Sequence, residues 1–198
     1  VYPGAVGNSE NIVVFKTDLG GIGIGVGYSP NVGSGSASDG GTALNPGKGS
    51  GYEIAVTAAN LGVDGLSLGA GSGTIDEGSS SGVKDASEKT MYFKYAMNNW
   101  TFGYQRGVVD LDGATQYNSD IFGISFSVND NLSVSAGVHN SDKVVSGGSD
   151  IELEGKSLQI AYTVGGASIK FAETSVDNQN YVSGTNREGR TIALTLAF

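Results

Sequence analysis

From residue 10 to residue 198 the large apolar side chains recur at every second position, and this period of two predicts eleven strands. They fall at 10–17, 21–29, 51–60, 64–72, 88–97, 99–108, 119–128, 131–140, 155–164, 167–176 and 189–198. The last reads most plainly: Ile192, Leu194, Leu196 and Phe198 alternate with Thr191, Ala193, Thr195 and Ala197. Equivalent apolar stripes are Phe122, Ile124, Phe126 and Val128, and Leu158, Ile160, Tyr162 and Val164. Their opposite faces are small or polar, as in Gly123, Ser125 and Ser127, or Ser157, Gln159, Ala161 and Thr163. No segment carries helical periodicity, so the fold class is all-β.

The connections suggest how the strands are arranged. Short turns are predicted at 18–20, 61–63, 98–99, 129–130 and 165–166, and long polar loops at 30–50, 73–87, 109–118, 141–154 and 177–188. Short and long connections take turns. An antiparallel transmembrane up-and-down β-barrel does this, with tight turns on one rim and loops on the other. Strands of about 9–11 residues match a tilted crossing of a hydrocarbon core. Pro3, Pro30 and Pro46 all lie outside the strands, as ladder hydrogen bonding requires.

Composition decides which face meets what. Glycine supplies 33 of 198 residues, against a usual share of about 7%, and many of these glycines sit inside the alternations. The resulting face of Gly, Ser, Thr and Ala is too weakly polar for a good solvated exterior, which places the apolar stripes against lipid and the small stripes around water. Aromatics near strand ends fit an interfacial belt, and Tyr28, Tyr52, Trp100, Tyr104 and Phe198 are the expected anchors. Lys16, Glu53, Lys94 and Lys170 fall on the small parity, the expected lumen. Arg106 shares its parity with Trp100, Phe102 and Tyr104, so it requires either a place above the apolar band or a bulge.

Lys plus Arg is 11 against 20 for Asp plus Glu, a net charge of −9 that argues against a nucleic-acid partner. With no cysteine, disulfides and thiolate metal sites are excluded. No apolar run reaches the ~18 residues of a membrane helix, which leaves a barrel open, because each barrel strand carries only a weak signal.

Two stretches carry a family resemblance. The ending Thr191–Phe198 (TIALTLAF) resembles the terminal strand of the trimeric general porins of Gram-negative outer membranes, whose final Phe is read by the barrel-assembly machinery. Residues 8–30 (NSENIVVFKTDLGGIGIGVGYSP) are similar to the hairpin that follows the constriction loop in that family. The resemblance implies a sixteen-stranded barrel, of which the single domain 1–198 would supply strands six to sixteen, with residues 1–9 the end of the constriction loop. It would then lack about five N-terminal strands. The other possibility is a self-contained barrel of ten or twelve strands. The resemblance further implies an integral outer-membrane homotrimer embedded in lipid and lipopolysaccharide, through which ions and small hydrophilic solutes diffuse passively. No cofactor and no bond chemistry are expected. Basic wall residues of such pores face acidic residues of the inward loop, and Lys16, Lys94 and Lys170 match the wall; Glu53 is a weaker candidate near the extracellular mouth.

Other features invite chemistry less convincingly. Asp110 and Asp112, with Gly113, faintly suggest a calcium loop, but the full signature is missing and solvated loop carboxylates explain them as well. His139 is the single histidine and falls on the lumenal parity, which disfavours an outer-surface Ser–His hydrolase. The Gly-X-Gly runs at 21–27 and 33–35 precede no helix and do not read as nucleotide-binding turns. The rival class is a secreted or surface-exposed soluble β-rich structural or adhesive protein. In that case the apolar stripes would meet in a dry centre.

Overall fold

Period-two alternation leaves each strand's backbone groups to be satisfied by its neighbours, and the chain does this by pairing every strand with the next one in sequence. The computed structural model describes residues 13–29, 50–75, 85–111 and 114–196. The strands are β1 (Val13–Asp18), β2 (Ile22–Ser29), β3 (Gly51–Ala59), β4 (Leu66–Ile75), β5 (Ala86–Met97), β6 (Trp100–Asp110), β7 (Thr115–Ser127), β8 (Leu132–Val145), β9 (Ile151–Val164), β10 (Ala167–Asp177) and β11 (Arg187–Leu196). They form one eleven-stranded antiparallel sheet in the order β1 to β11. Among the described residues β1 and β11 each pair on one side only, so the sheet is not closed. All eleven expected strands are present, and their order is the up-and-down one.

Several boundaries differ from expectation. Strands β7, β8 and β9 run for 13, 14 and 14 residues, because their ladders continue past the point where the apolar stripe ends. On β9 the faces also exchange character above that point. On β9, Leu158, Ile160 and Tyr162 share a face with Glu152, Glu154 and Lys156, while Ile151 and Leu153 share the opposite one with Ser157 and Gln159. An alternation tied to one apolar stripe stops where the stripe changes sides. The connections expected as long loops at 109–118 and 141–154 accordingly shrink to 111–114 and 146–150. The 60–65 connection on the other rim is longer than either, so the strict alternation of short and long does not hold. Most of 30–50 and part of 73–87 lie outside the described residues.

The apolar stripes do not meet in a dry centre. Ala55, Ile75 and Ala86 are the buried hydrophobics among the described residues. Most of the large ones stand exposed along one continuous face, Val14 and Ile121 being exceptions on the other. Ile192 is 72% exposed, Leu194 64% and Phe15 63%. The register joins them into a band: Phe102 lies opposite Ile124, Ile124 opposite Ala136, Ala136 opposite Leu158, and Ile169 opposite Tyr162 and Leu194.

Tight turns at one end hold this band in register. Asn98 takes a left-handed conformation (φ 52) in the two-residue turn between β5 and β6. Asn129 Oδ1 accepts the N–H groups of Asn131 and Leu132, both at 2.9 Å. Two glycines differ in an instructive way. Gly65 has φ +77, and a Cβ there would stand 2.0 Å from the carbonyl oxygen of Ala96. The atoms nearest a Cβ at Gly69 belong to the ring of Tyr92, its cross-strand partner. A ring can swing aside and a backbone carbonyl cannot. Gly65→Ala is therefore expected to cost about 1–3 kcal/mol and Gly69→Ala clearly less. Urea unfolding of both variants in micelles checks the order.

Candidate functional site: the inner wall

Opposite the apolar band, the sheet presents its small and polar residues, and the charge on this face differs from that of the whole chain. Following the register, the inner face of the described strands carries Lys16, Lys94, Lys143, Lys170 and Arg187 against Asp18, Glu53 and Glu88. The outer face carries Lys89, Arg106, Lys156 and Arg190 against Asp110, Asp120, Asp142, Glu152, Glu154, Glu173, Asp177 and Glu188. The chain is acidic, yet on the inner face of its described strands cations outnumber carboxylates.

Lys16, Lys94 and Lys170 all lie on that wall, toward the same rim. Lys94 precedes the 98–99 turn by four residues, Lys170 follows the 165–166 turn by four, and Lys16 stands near the turn after β1. They sit on β1, β5 and β10, so they are distributed around the sheet rather than brought together. Small residues flank each of them: Gly25 opposite Lys16, Ser67 and Gly103 opposite Lys94, Ala161 and Ala193 opposite Lys170. Beside Lys16 a hollow of about 480 Å³ opens over Gly23, Gly25, Ala55 and Thr57. Short neighbours leave room for a lysine to extend into solvent, as an ion-guiding group requires.

Glu53 does not belong to this set. It lies toward the other rim, opposite Gly27 and Gly73, and is only 3% exposed. Its burial fits a structural carboxylate better than a solvated one. His139 is on the inner face, half-buried, opposite Ile121 and Gly155.

Sequence reading does not foresee the path of the 178–186 connection. It folds over the inner face instead of standing free. The Tyr181 hydroxyl lies 2.7 Å from Ser141 Oγ, which lies 3.0 Å from Ser119 Oγ. The Tyr181 ring packs on Tyr117 at 5.1 Å between centroids, and Lys143 Nζ stands 5.9 Å over the Tyr117 ring. Asn178, Asn180 and Tyr181 all have left-handed backbones, with φ of 51, 58 and 57. Such a segment persists only when its surroundings hold it. Here Asn178 Nδ2 donates to the Glu152 carbonyl at 2.8 Å, and Asn178 Oδ1 accepts the Gly184 N–H at 2.9 Å. The run of asparagines from 178 to 186 is the one available signal, since Asn tolerates this conformation.

The outer-face aromatics occupy two levels. Tyr28 and Tyr52 oppose each other near the long-loop rim. Trp100 lies at the turn rim, 4.4 Å from the Phe126 ring centroid and 6.1 Å from that of Phe102. Tyr104 stands where the band ends, its hydroxyl donating to Asp120 at 2.5 Å. Phe198 lies outside the described residues. Arg106 resolves without a bulge: the β5–β6–β7 register runs unbroken, and the residue sits just above the band, paired with Asp120 at 3.2 Å. Asp110 is on the outer face at the end of β6, and Asp112 lies outside the described residues. Among the described residues no group of three or more His, Asp or Glu could hold a metal.

No protein-family model matches the sequence, and no curated protein matches it. Solved structures do match its fold. The anion-selective porin from Comamonas acidovorans superposes with a TM-score of 0.73 at 16% identity, over 96% of this chain and 60% of that one. The outer-membrane-expressed OmpT of Vibrio cholerae gives 0.65 at 16%, over 93% and 64%. The outer-membrane channel DcaP of Acinetobacter baumannii gives 0.65 at 10%, over 92% and 60%. The fold is that of outer-membrane β-barrels of the porin kind, and the chain spans less than two thirds of the length of these structures.

Proposed function

We propose that this protein is an outer-membrane porin, a passive channel rather than an enzyme, whose wall favours small anionic and neutral hydrophilic solutes. The single observation that carries this reading is the division of the sheet: an exposed apolar band on one face and a basic, small-residue wall on the other. A soluble sheet buries its apolar face. Here that face is uncovered along the whole sheet, as a bilayer-facing surface is. Pore selectivity follows from the charge lining the narrow part, and the described wall has an excess of cations. One structural neighbour is an anion-selective porin, which accords with this sign.

The finer reading is a trimeric general porin in which this chain supplies the C-terminal part of a sixteen-stranded barrel. Its support is the terminal-strand resemblance and the one-sided pairing of β1 and β11, since lipid cannot satisfy the free backbone groups of an open edge. The partners would be outer-membrane lipid and lipopolysaccharide, and the location integral in the outer membrane. Planar-bilayer recording of the native protein tests the channel: stepwise current increments and a chloride-directed reversal potential in a KCl gradient are expected. A protein that stays monomeric and soluble without detergent and gives no steps would refute it. Chemical cross-linking in native membranes, reading a threefold mass, tests the trimer.

The inward 178–186 segment narrows the wall at its loop-side end in this reading. Tyr181→Ala, which removes both the ring packing and the contact with Ser141, is expected to raise single-channel conductance. Tyr181→Phe keeps the packing and loses only a hydrogen bond worth about 1 kcal/mol, so its conductance should stay near that of the wild type.

A further inference from the structure

On the outer face a groove of about 550 Å³ runs across β3 to β6. Its floor is β4, where Ala70 and Ser72 are too short to reach the level of their neighbours. Ile54 and Val56 rise on one side and Met91 and Val108 on the other. On the same face of β4 the next outward residue is Thr74, so small side chains follow one another from 70 to 74, about 13 Å of strand.

The charge at this groove is unlike that of the rest of the outer face. Of the four outer cations in the described strands, Arg106, Lys156 and Arg190 pair with Asp120, Glu154 and Glu173. Lys89 has no acidic partner among the described residues, and it lines the groove together with Arg106. In the register Lys89 lies opposite Ser72 and Val108, one row above Met91 and Arg106, which oppose each other. The two cations are thus diagonal neighbours on one face. Neighbouring like charges on one sheet face repel, and the carboxylates nearest this pair are Asp120, opposite Arg106, and Asp110, diagonal to Lys89. Asp120 partly serves Arg106 and holds its guanidinium beside the groove, leaving donors unused.

We propose that this groove is a specific site for a phosphorylated acyl lipid of the leaflet on the long-loop side. One chain lies along β4 over Ala70 and Ser72, and the phosphate is held by Lys89 and Arg106. The inference rests on the reading that the apolar band faces lipid. A lipid matches both halves of the site: a hydrocarbon chain against the apolar floor and walls, and an anion at the height where the band gives way to charge. Long basic side chains at such a boundary extend their heads toward the interface, and each accepts a phosphate as a charge-assisted partner.

Native mass spectrometry of the full native protein in detergent tests this. The probes are phosphatidic acid, phosphatidylcholine with the same chains, and inorganic phosphate. The wild type should retain phosphatidic acid over phosphatidylcholine. Lys89→Glu with Arg106→Glu should reduce that retention about tenfold, the equivalent of roughly 1.4 kcal/mol. Ala70→Phe fills the groove without touching a charge and adds apolar surface on the lipid side, where folding tolerates it; it too should abolish the preference. The site is refuted by equal retention of the two lipids, by displacement of the lipid by inorganic phosphate at equal concentration, or by a preference that survives Ala70→Phe. Retention of no lipid by a protein soluble without detergent would instead overturn the underlying membrane reading.

Discussion

Replacing Ile160 with Arg is expected to destabilise the protein by about 2–4 kcal/mol and to deplete the folded species in membranes. Ile160 lies in the middle of the apolar stretch of β9, between Val134 on β8 and Phe171 on β10, and is 43% exposed. A guanidinium there has no water within reach in a bilayer, and its cross-strand neighbours offer no acceptor. Gln159→Arg is the matched control. Gln159 lies opposite Ser135 and Ala172 on the inner face, where an added cation stays hydrated and stability should hold within about 0.5 kcal/mol. The comparison is best read as urea midpoints of the two variants folded into the same lipid vesicles. In a soluble protein with the faces reversed, Ile160→Arg would be the milder change, so a reversed order would refute the assignment of faces.

The second large effect concerns selectivity. Substituting Lys16, Lys94 and Lys170 together by Glu removes three positive charges from the inner wall and adds three negative ones. The wall of the described strands then changes from an excess of cations to an excess of carboxylates. The reversal potential in a KCl gradient should change sign, from the chloride to the potassium direction, with only a modest change in conductance. The shift should shrink as salt rises, because screening shortens the reach of each charge to about 10 Å at 0.1 M. Single substitutions apportion the effect. Lys16, beside the open hollow over Gly23 and Gly25, should contribute at least as much as either of the others. Glu53→Gln, by contrast, should alter stability rather than selectivity, since that side chain is buried. A triple variant with unchanged reversal potential would place these lysines away from the conducting path.

Much of this fold can be read along a line. Eleven alternations correspond to eleven strands, and because side chains switch faces at each residue, parity alone puts Lys16, Lys94, Lys170 and His139 on one face and Trp100, Phe122 and Leu194 on the other. That information is local, and a ladder preserves it. What parity cannot supply is the partner across the strand, since this depends on register, and register is set by turn geometry and by the packing of the whole sheet. So the ion pair that accommodates Arg106, the burial of Glu53, the four-strand groove under Lys89 and the inward fold of Tyr181 onto Tyr117 and Ser141 appear only in three dimensions. The strand ends escape the pattern for a related reason. Above the band the apolar stripe gives out, and on β7 and β9 apolar residues move to the opposite face, a change invisible to a pattern tied to one stripe, whereas backbone hydrogen bonding is indifferent to it and extends β7, β8 and β9 regardless. Sequence determined which residues share a face; tertiary structure decided which of them meet.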